Sequence, residues 1–439
     1  MFHYPDSLIE KIKKVWDFQI RSKEEIPQLP NNRILKQLLD VAYHASFLTE
    51  ELRRVGFRIV FCSKNKLKKH HKYGGRPSTL EPVEFVEPRE FNIGEILRLA
   101  PATDFTRMLI CVGPEKGNKL RIWALIDAGS SWWDFTHGES SSGYPPPNFL
   151  TIASTEPGYL SISRGGGILI NLRHGQMSRP TGSVFYKGPV SDYFESSKEH
   201  IYKAICEQLK TDFYDEDDHD NEYPKREYIQ YIERVLFHIR EKGHGGTLII
   251  VPDYLDHKDP RLTDRVNIKY PISYNRAEGV IIDLMVKHRK YYDLLFPMWD
   301  GKVAISKEKF RTFCSIQASR KERKEDLADS VKFIASLTGV DGAVVMTDRY
   351  RLIGFGAEVT ALSPSLNEVK IASEDSGETG HNVAIESFGT RHRSAFRFCS
   401  NYEDSLAFVI SQDGGVKAIK RVGSVLVMWP DINLGLLGF

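Results

Sequence analysis

Val340-Asp341-Gly342-Ala343-Val344-Val345-Met346-Thr347 is the stretch on which the reading of this chain turns. An acid directly before an apolar strand places a carboxylate at the edge of a sheet. The small residues Gly342 and Ala343 leave room for a ligand to approach the backbone. Before it, Leu327, Val331, Ile334 and Leu337 recur at helical spacing, with Asp326 near the start and Gly339 as the stop. After it, Asp348-Arg349 turns the chain into a second strand, Leu352-Ile353-Gly354-Phe355-Gly356-Ala357. Its alternating glycines suit a flat ring lying against backbone.

Further toward the C-terminus, Ser363 to Asn382 is polar and aperiodic and reads as a loop. It leads to Phe388-Gly389-Thr390-Arg391-His392-Arg393-Ser394-Ala395. Gly389 supplies a tight turn, Thr390 a hydroxyl, and Arg391 and Arg393 guanidinium forks that grip phosphate oxygens in pairs. A helix starting here adds its free N–H groups to an anion site. Strands are expected at Ser405 to Ile410 and Val416 to Arg421, joined by Ser411-Gln412-Asp413-Gly414-Gly415. Taken singly these elements mean little: Arg-His-Arg alone is a solvated basic patch, and an Asp in a Gly-rich turn is a turn residue.

Toward the N-terminus, Arg276 to Phe296 reads as a long helix, and a domain boundary is expected near residue 300, followed by a charged entry segment, Lys307 to Arg323. Arg226 to Arg240 reads as a helix, Gly243-His244-Gly245-Gly246 as a tight connection, and Thr247 to Val251 as a buried strand. The acidic run Asp212 to Asp220 lacks the ligand spacing of a calcium loop. Met108 to Gly188 is β-rich, and Gly165-Gly166-Gly167 lacks the Gly-Lys-Ser/Thr of a phosphate loop. Asn32 to Val55 reads as an amphipathic helix, Phe57 to Phe61 as a strand, and Lys64 to Arg76 as a basic loop.

Composition bounds the function. With 439 residues there is length for two or three domains. A net charge of +2 argues against a dedicated nucleic-acid-binding protein. Five scattered cysteines, without a CxxC, give neither a disulfide framework nor a zinc site. No apolar run reaches the roughly 20 residues of a membrane span. A soluble, cytoplasmic protein is the expectation.

In their order and spacing, Asp341-Gly342-Ala343, the Gly354-Phe355-Gly356 strand, Gly389-Thr390-Arg391-His392-Arg393 and the Ser411 turn resemble the diadenylate cyclase (DAC) family over roughly residues 316 to 430. The resemblance implies a mixed α/β domain with a central sheet flanked by helices, preceded by a larger α+β sensor domain. It implies an enzyme that condenses two ATP into cyclic di-AMP and pyrophosphate, with two such domains meeting face to face. It implies Asp341, Arg391, His392 and Arg393 as catalytic residues. Nucleotide contacts would come from Gly342, Ala343, Leu352, Gly354, Gly356, Gly389, Thr390 and Ser411. Mg²⁺ or Mn²⁺ would sit on Asp341 and Asp413. The family's Ser-Glu-Glu turn is Ser411-Gln412-Asp413 here, so one charge is lost.

The front of the chain resembles the DACNV sensor domain, on Leu38-Leu39-Asp40-Val41-Ala42-Tyr43, Leu97–Pro101 and Gly243-His244-Gly245-Gly246-Thr247. That implies a sensor over 1–275 with an unidentified ligand, a helical connector at 276–315 and the cyclase at 316–439. The rival expectation is a nucleotide-binding sensor module without catalysis.

Overall fold

In a computed structural model of the protein, the described residues are 3–16, 27–50, 53–70, 81–105, 107–115, 119–127, 149–164, 167–173, 175–178, 184–210, 222–299, 306–363, 365–412, 414–430, 432 and 434. The chain divides into two units, Met1–Pro180 with Asn433–Phe439, and Thr181–Ile432. Each is built on a mixed β-sheet, so the fold class is mixed α/β.

The first unit contains α1 (Pro5–Trp16), α2 (Asn32–Ser46), the small hairpin β1 (Thr49–Glu50) and β2 (Arg53–Arg54), β3 (Phe57–Phe61), α3 (Lys64–His70), β4 (Glu81–Glu90) and α4 (Ile93–Leu99). β5 (Met108–Pro114), β6 (Leu120–Asp127), β7 (Leu150–Ser154), β8 (Tyr159–Arg164), β9 (Gly167–Arg173) and β10 (Gln176–Ser178) follow. The sheet order is β10-β9-β8-β7-β3-β5-β6-β4, with β3 and β5 parallel. Period-two alternation sorts the strands' side chains to two faces. Phe57, Ile59, Ile110 and Ile152 meet Leu8, Ile12, Leu35, Leu38 and Ala42 of the helices. Val60, Leu109, Cys111, Ala124 and Ile126 pack on the other side with Leu67 of α3.

Two expectations are corrected in this unit. α2 ends at Ser46, not near Val55. The Ser46 hydroxyl donates to the Tyr43 carbonyl (2.6 Å) and accepts the Gly158 N–H (3.0 Å), which ties the helix end to the β7–β8 turn. Lys64–His70 of the expected basic loop is helical because Leu67 is buried. Residues 71–76 lie outside the described residues, as do Gly165, Gly166 and Asp212 to Asp220.

The second unit contains α5 (Pro189–Tyr193), α6 (Glu195–Leu209), α7 (Glu222–Glu241), β11 (Gly246–Val251), α8 (Pro260–Thr263), β12 (Val266–Tyr274), α9 (Ala277–Trp299) and α10 (Lys307–Leu337). β13 (Ala343–Thr347), β14 (Leu352–Val359), β15 (Glu368–Ala372), β16 (Gly380–Ala384), α11 (Thr390–Asn401), β17 (Leu406–Ile410), β18 (Val416–Val422) and β19 (Val425–Trp429) complete it. The sheet order is β12-β14-β13-β11-β17-β18-β19-β15-β16.

This order moves the expected boundary. The break lies at residue 180, not near 275 or 300, because β11 and β12 belong to the C-terminal sheet. β11 is buried at every position, so it needs strands on both sides and cover on both faces. The strands come from 343–347 and 406–410. Residues 276–315 are therefore not a connector between units. They belong to an antiparallel helix pair inside the second unit, where Arg276 meets Asp326 and Tyr291 stacks on Phe313 at 4.9 Å.

α11 covers one face of this sheet, placing Ala395, Phe396, Phe398 and Cys399 against Ile249, Val345, Ala407, Val409 and Ile419. On the other face Tyr228 of α7 stacks on Tyr350 (4.6 Å), and the Tyr231 hydroxyl pairs with Ser330 of α10 (2.8 Å). The expected loop Ser363 to Asn382 contains β15 and part of β16. Only Val369 and Ala372 of β15 are buried, so no apolar alternation marks it. Among the described residues no helix is long and apolar enough to cross a membrane.

Candidate functional site

β11 and β13 run parallel, with Leu248 beside Val344 and Val251 beside Thr347. β17 runs antiparallel along the other side of β11, with Ile410 beside Gly246. The start of β11, the start of β13 and the end of β17 therefore share one end of the sheet, neighbours being about 4.8 Å apart. Gly245, Asp341-Gly342 and Ser411-Gln412 gather there.

Glycines make this gathering possible. Gly342 has φ +113°, and a Cβ on it would stand 2.6 Å from the Gly356 carbonyl carbon and 2.8 Å from the Ala357 nitrogen. Its small size is thus required by the backbone of β14 itself. Gly245 has φ +67°, and a Cβ there would meet the Ile410 oxygen at 2.6 Å, Arg391 Nη1 at 3.0 Å and the Gln412 nitrogen at 3.2 Å. The Arg391 guanidinium rests on this glycine.

α11 begins at Thr390 with Gly389 as its N-cap, and no side chain caps it. Its first N–H groups, the Thr390 hydroxyl and the exposed Arg391 are all groups of the kind that bind anions. Arg393 is half-buried, and its Nε is buried without a hydrogen bond. His392 lies 5.7 Å from the Phe388 ring and 6.3 Å from the Phe396 ring, centroid to centroid. At the Ser411 turn the Ser411 N–H bonds the Gly415 oxygen (2.9 Å), and Lys417 Nζ donates to the Ser411 hydroxyl (3.2 Å).

The opposite ends of β11 and β13 differ. There Asp253 accepts from Thr347 Oγ1 (2.9 Å) and Arg351 Nε (3.3 Å), and Arg349 lies 3.7 Å away. Burial pushes the neighbouring Asp348 carboxyl above the ordinary range. Asp253 is held there by Thr347, Arg349 and Arg351, while Asp348 keeps one buried carboxylate oxygen without a hydrogen bond. At the first end Asp341 is exposed and makes no hydrogen bond or ion pair with any described residue.

Three sequence expectations fare differently. Leu352 is fully buried and pairs with Met346, so it lies three residues, about 10 Å, along the strands from the Ala343–Ala357 pair next to Asp341. A Cβ on Gly354 would come within 2.4 Å of Ile268 Cγ2 and 2.7 Å of the Tyr270 oxygen, so its smallness serves the packing of β12 rather than a ligand. Gly356 (φ +62°) is covered by the Tyr270 ring, 3.1 Å from where its Cβ would be. Asp413 lies outside the described residues.

His244 and Gly245, expected to belong to the front of the chain, lie at this end instead. His244 Nδ1 is 2.5 Å from the Gly245 oxygen, and its Nε2 faces Gly339 across 3.8 Å measured from the position of a Cβ there. A sequence signal existed: α7 and α10 each run through a glycine turn into a buried strand, the same device twice. Lys417 carried no such signal.

A divalent cation at Asp341 is chemically compatible, since a free carboxylate is a suitable oxygen ligand. No group of three or more His, Cys, Asp or Glu able to hold a metal occurs among the described residues. Such an ion would take most of its ligands from phosphate and water.

Gly245→Ala is expected to lose about 2 kcal/mol of stability from strain and crowding. Gly243→Ala, at φ +70° with nothing within 4 Å, should lose less. Urea unfolding of both checks the difference, and equal losses would contradict the close packing at Gly245.

Residues 24–127 match the family model described as "Probable sensor domain DACNV". The match lies within the first unit and carries α2 to β6. Gly243-His244-Gly245-Gly246 falls outside it. A cavity of about 90 Å³ in the first unit is lined in part by Trp16, Phe61, Cys62, Lys66 and Phe149. No curated protein matches the chain.

Proposed function

We propose that the second unit is a diadenylate cyclase and that the first unit regulates it. The observation that carries this reading is the free Asp341 at the same end of the sheet as Gly245, on which Arg391 from the first turn of α11 is seated. One end of the sheet thus offers a carboxylate for a cation and the Arg391 guanidinium for a phosphate. The resemblance of the Asp341-Gly342-Ala343 and Gly389 to Arg393 motifs supports the assignment of the reaction.

On this reading Thr390, Arg391, His392 and Arg393 grip the triphosphate, while Gly342 and Ala343 border the nucleoside. A bound Mg²⁺ or Mn²⁺ would neutralise charge building on the phosphates and acidify the attacking hydroxyl. Asp341 holds the place for it. The 3′-hydroxyl of one ATP attacks the α-phosphorus of the other and gives up its proton to solvent; the bond from the α-phosphorus to the bridging oxygen breaks, and pyrophosphate leaves with its electron pair. The step occurs twice, so two units must face one another. Positioning and charge neutralisation carry phosphoryl-group chemistry of this kind, with little covalent help from the protein.

Incubation of the full chain with ATP and Mn²⁺ or Mg²⁺, read by mass spectrometry, tests the proposal. Cyclic di-AMP is expected. Arg391→Ala should weaken ATP binding by about 1.5–3 kcal/mol, as for a charged hydrogen bond; unchanged affinity in calorimetry would contradict its role. ATP binding without turnover would favour the second reading, a nucleotide sensor, for which the uncharged Gln412 is the motivating residue.

A further inference from the structure

We infer that Tyr270 and Phe355 form a stacking platform for the nucleobase. This deepens the nucleotide reading above and rests on it. The two residues face one another across β12 and β14, with ring centroids 4.9 Å apart and planes inclined by 24°. Tyr270 is 42 % exposed, high for an aromatic side chain in the middle of a paired strand. Its ring lies over Gly356, and Gly356 backs directly onto Gly342. An exposed aromatic surface thus lies one strand away from the Asp341-Gly342 corner.

Distance across the sheet fits the length of a nucleotide. Tyr270, Gly356, Gly342 and Gly245 lie on β12, β14, β13 and the entry to β11, four successive strands. Tyr270 sits level with Phe355, two residues along β14 from the Ala343–Ala357 pair. Across the strands, three spacings or about 14 Å separate the platform from the seat of Arg391. That is the order of reach of a nucleoside triphosphate from base to terminal phosphate. The base rests on Tyr270, the sugar passes Gly342, and the phosphates meet Arg391 and the start of α11. The Lys269 ammonium lies 5.4 Å from the Tyr270 centroid, on the same strand.

A bland role competes: an aromatic ring over a glycine also stabilises a sheet by cross-strand packing alone. The two roles differ in what they predict for ligands with and without a base. Calorimetry on the full chain with Mg²⁺ should compare 3′-deoxy-ATP, which cannot react, with inorganic tripolyphosphate. Tyr270→Ala is expected to weaken 3′-deoxy-ATP roughly tenfold to a hundredfold and to leave tripolyphosphate within about twofold. Tyr270→Phe should bind as the parent. Tyr270→Leu, which keeps apolar cover over Gly356, should resemble Tyr270→Ala.

Parent-like 3′-deoxy-ATP affinity in Tyr270→Ala or Tyr270→Leu overturns the platform and leaves the nucleotide reading standing. Equal loss of both ligands in a folded Tyr270→Leu protein also overturns it, since the ring would then only hold the strands. If the parent protein binds neither 3′-deoxy-ATP nor tripolyphosphate, the nucleotide reading fails and the platform with it.

Discussion

Replacing Asp341 by asparagine is expected to abolish cyclic di-AMP formation, by about a hundredfold or more, while leaving the fold intact. The carboxylate is exposed and carries no hydrogen bond or ion pair to any described residue. Removing its charge therefore breaks nothing inside the protein, and surface changes of this sort stay within about 0.5 kcal/mol. The loss falls on the reaction, because the charge that would hold a cation against the phosphates is gone. Mass spectrometry of products with parent and variant at equal concentration, alongside thermal melts, measures both halves. Turnover at the parent rate would remove Asp341 from the site.

Gly342→Ala is expected to give a large loss of stability, about 3 kcal/mol or more. Two costs combine. At φ +113° a side chain is strained, and the new Cβ would overlap the Gly356 and Ala357 backbone at 2.6–2.9 Å. Neither neighbour can yield, because β14 is itself pressed between β13 and β12. Urea unfolding is the check. A loss below about 1 kcal/mol would mean that β14 moves freely away from Asp341, and the account of this corner would be wrong. The pair of variants separates two expected reasons for one motif: on the proposed reading Asp341 is required by chemistry, while Gly342 is required by packing.

That separation bears on the other glycines. From the sequence, Gly354 and Gly356 suggest room for a flat ligand. In the structure their missing side chains are already used by Ile268 and Tyr270 of β12. A glycine in a strand says only that something comes close; whether that is a ligand or another strand depends on what is paired alongside.

Local pattern was sufficient for much of the chain. Apolar runs located β3, β5, β6, β11, β13 and β17 to within a residue or two, because each is bounded by turns and buried by its own composition. The amphipathic spacing of α7 and of the second half of α10 was legible too, and α9 was found as a long helix, with ends off by a few residues. The motif residues Asp341 and Thr390 to Arg393 were singled out by the order and spacing of two motifs that resemble a known family, not by their residue types one at a time. β15 and β16 were not legible, because neither presents an apolar face. Their strands exist through ladder hydrogen bonds to β19 and to each other.

By itself the sequence determined the mixed α/β class and most strand and helix positions, and it supplied the acid and arginines that the proposed site uses. All of these depend on neighbours within a few residues. Strand order depends on partners far along the chain. Only the tertiary structure brought β11 and β12 into the sheet of β13 and β17, moved the division to residue 180, and set Gly245 under Arg391. The physical reason is that a fully buried strand advertises its burial in its composition but carries no mark of which strands will lie beside it.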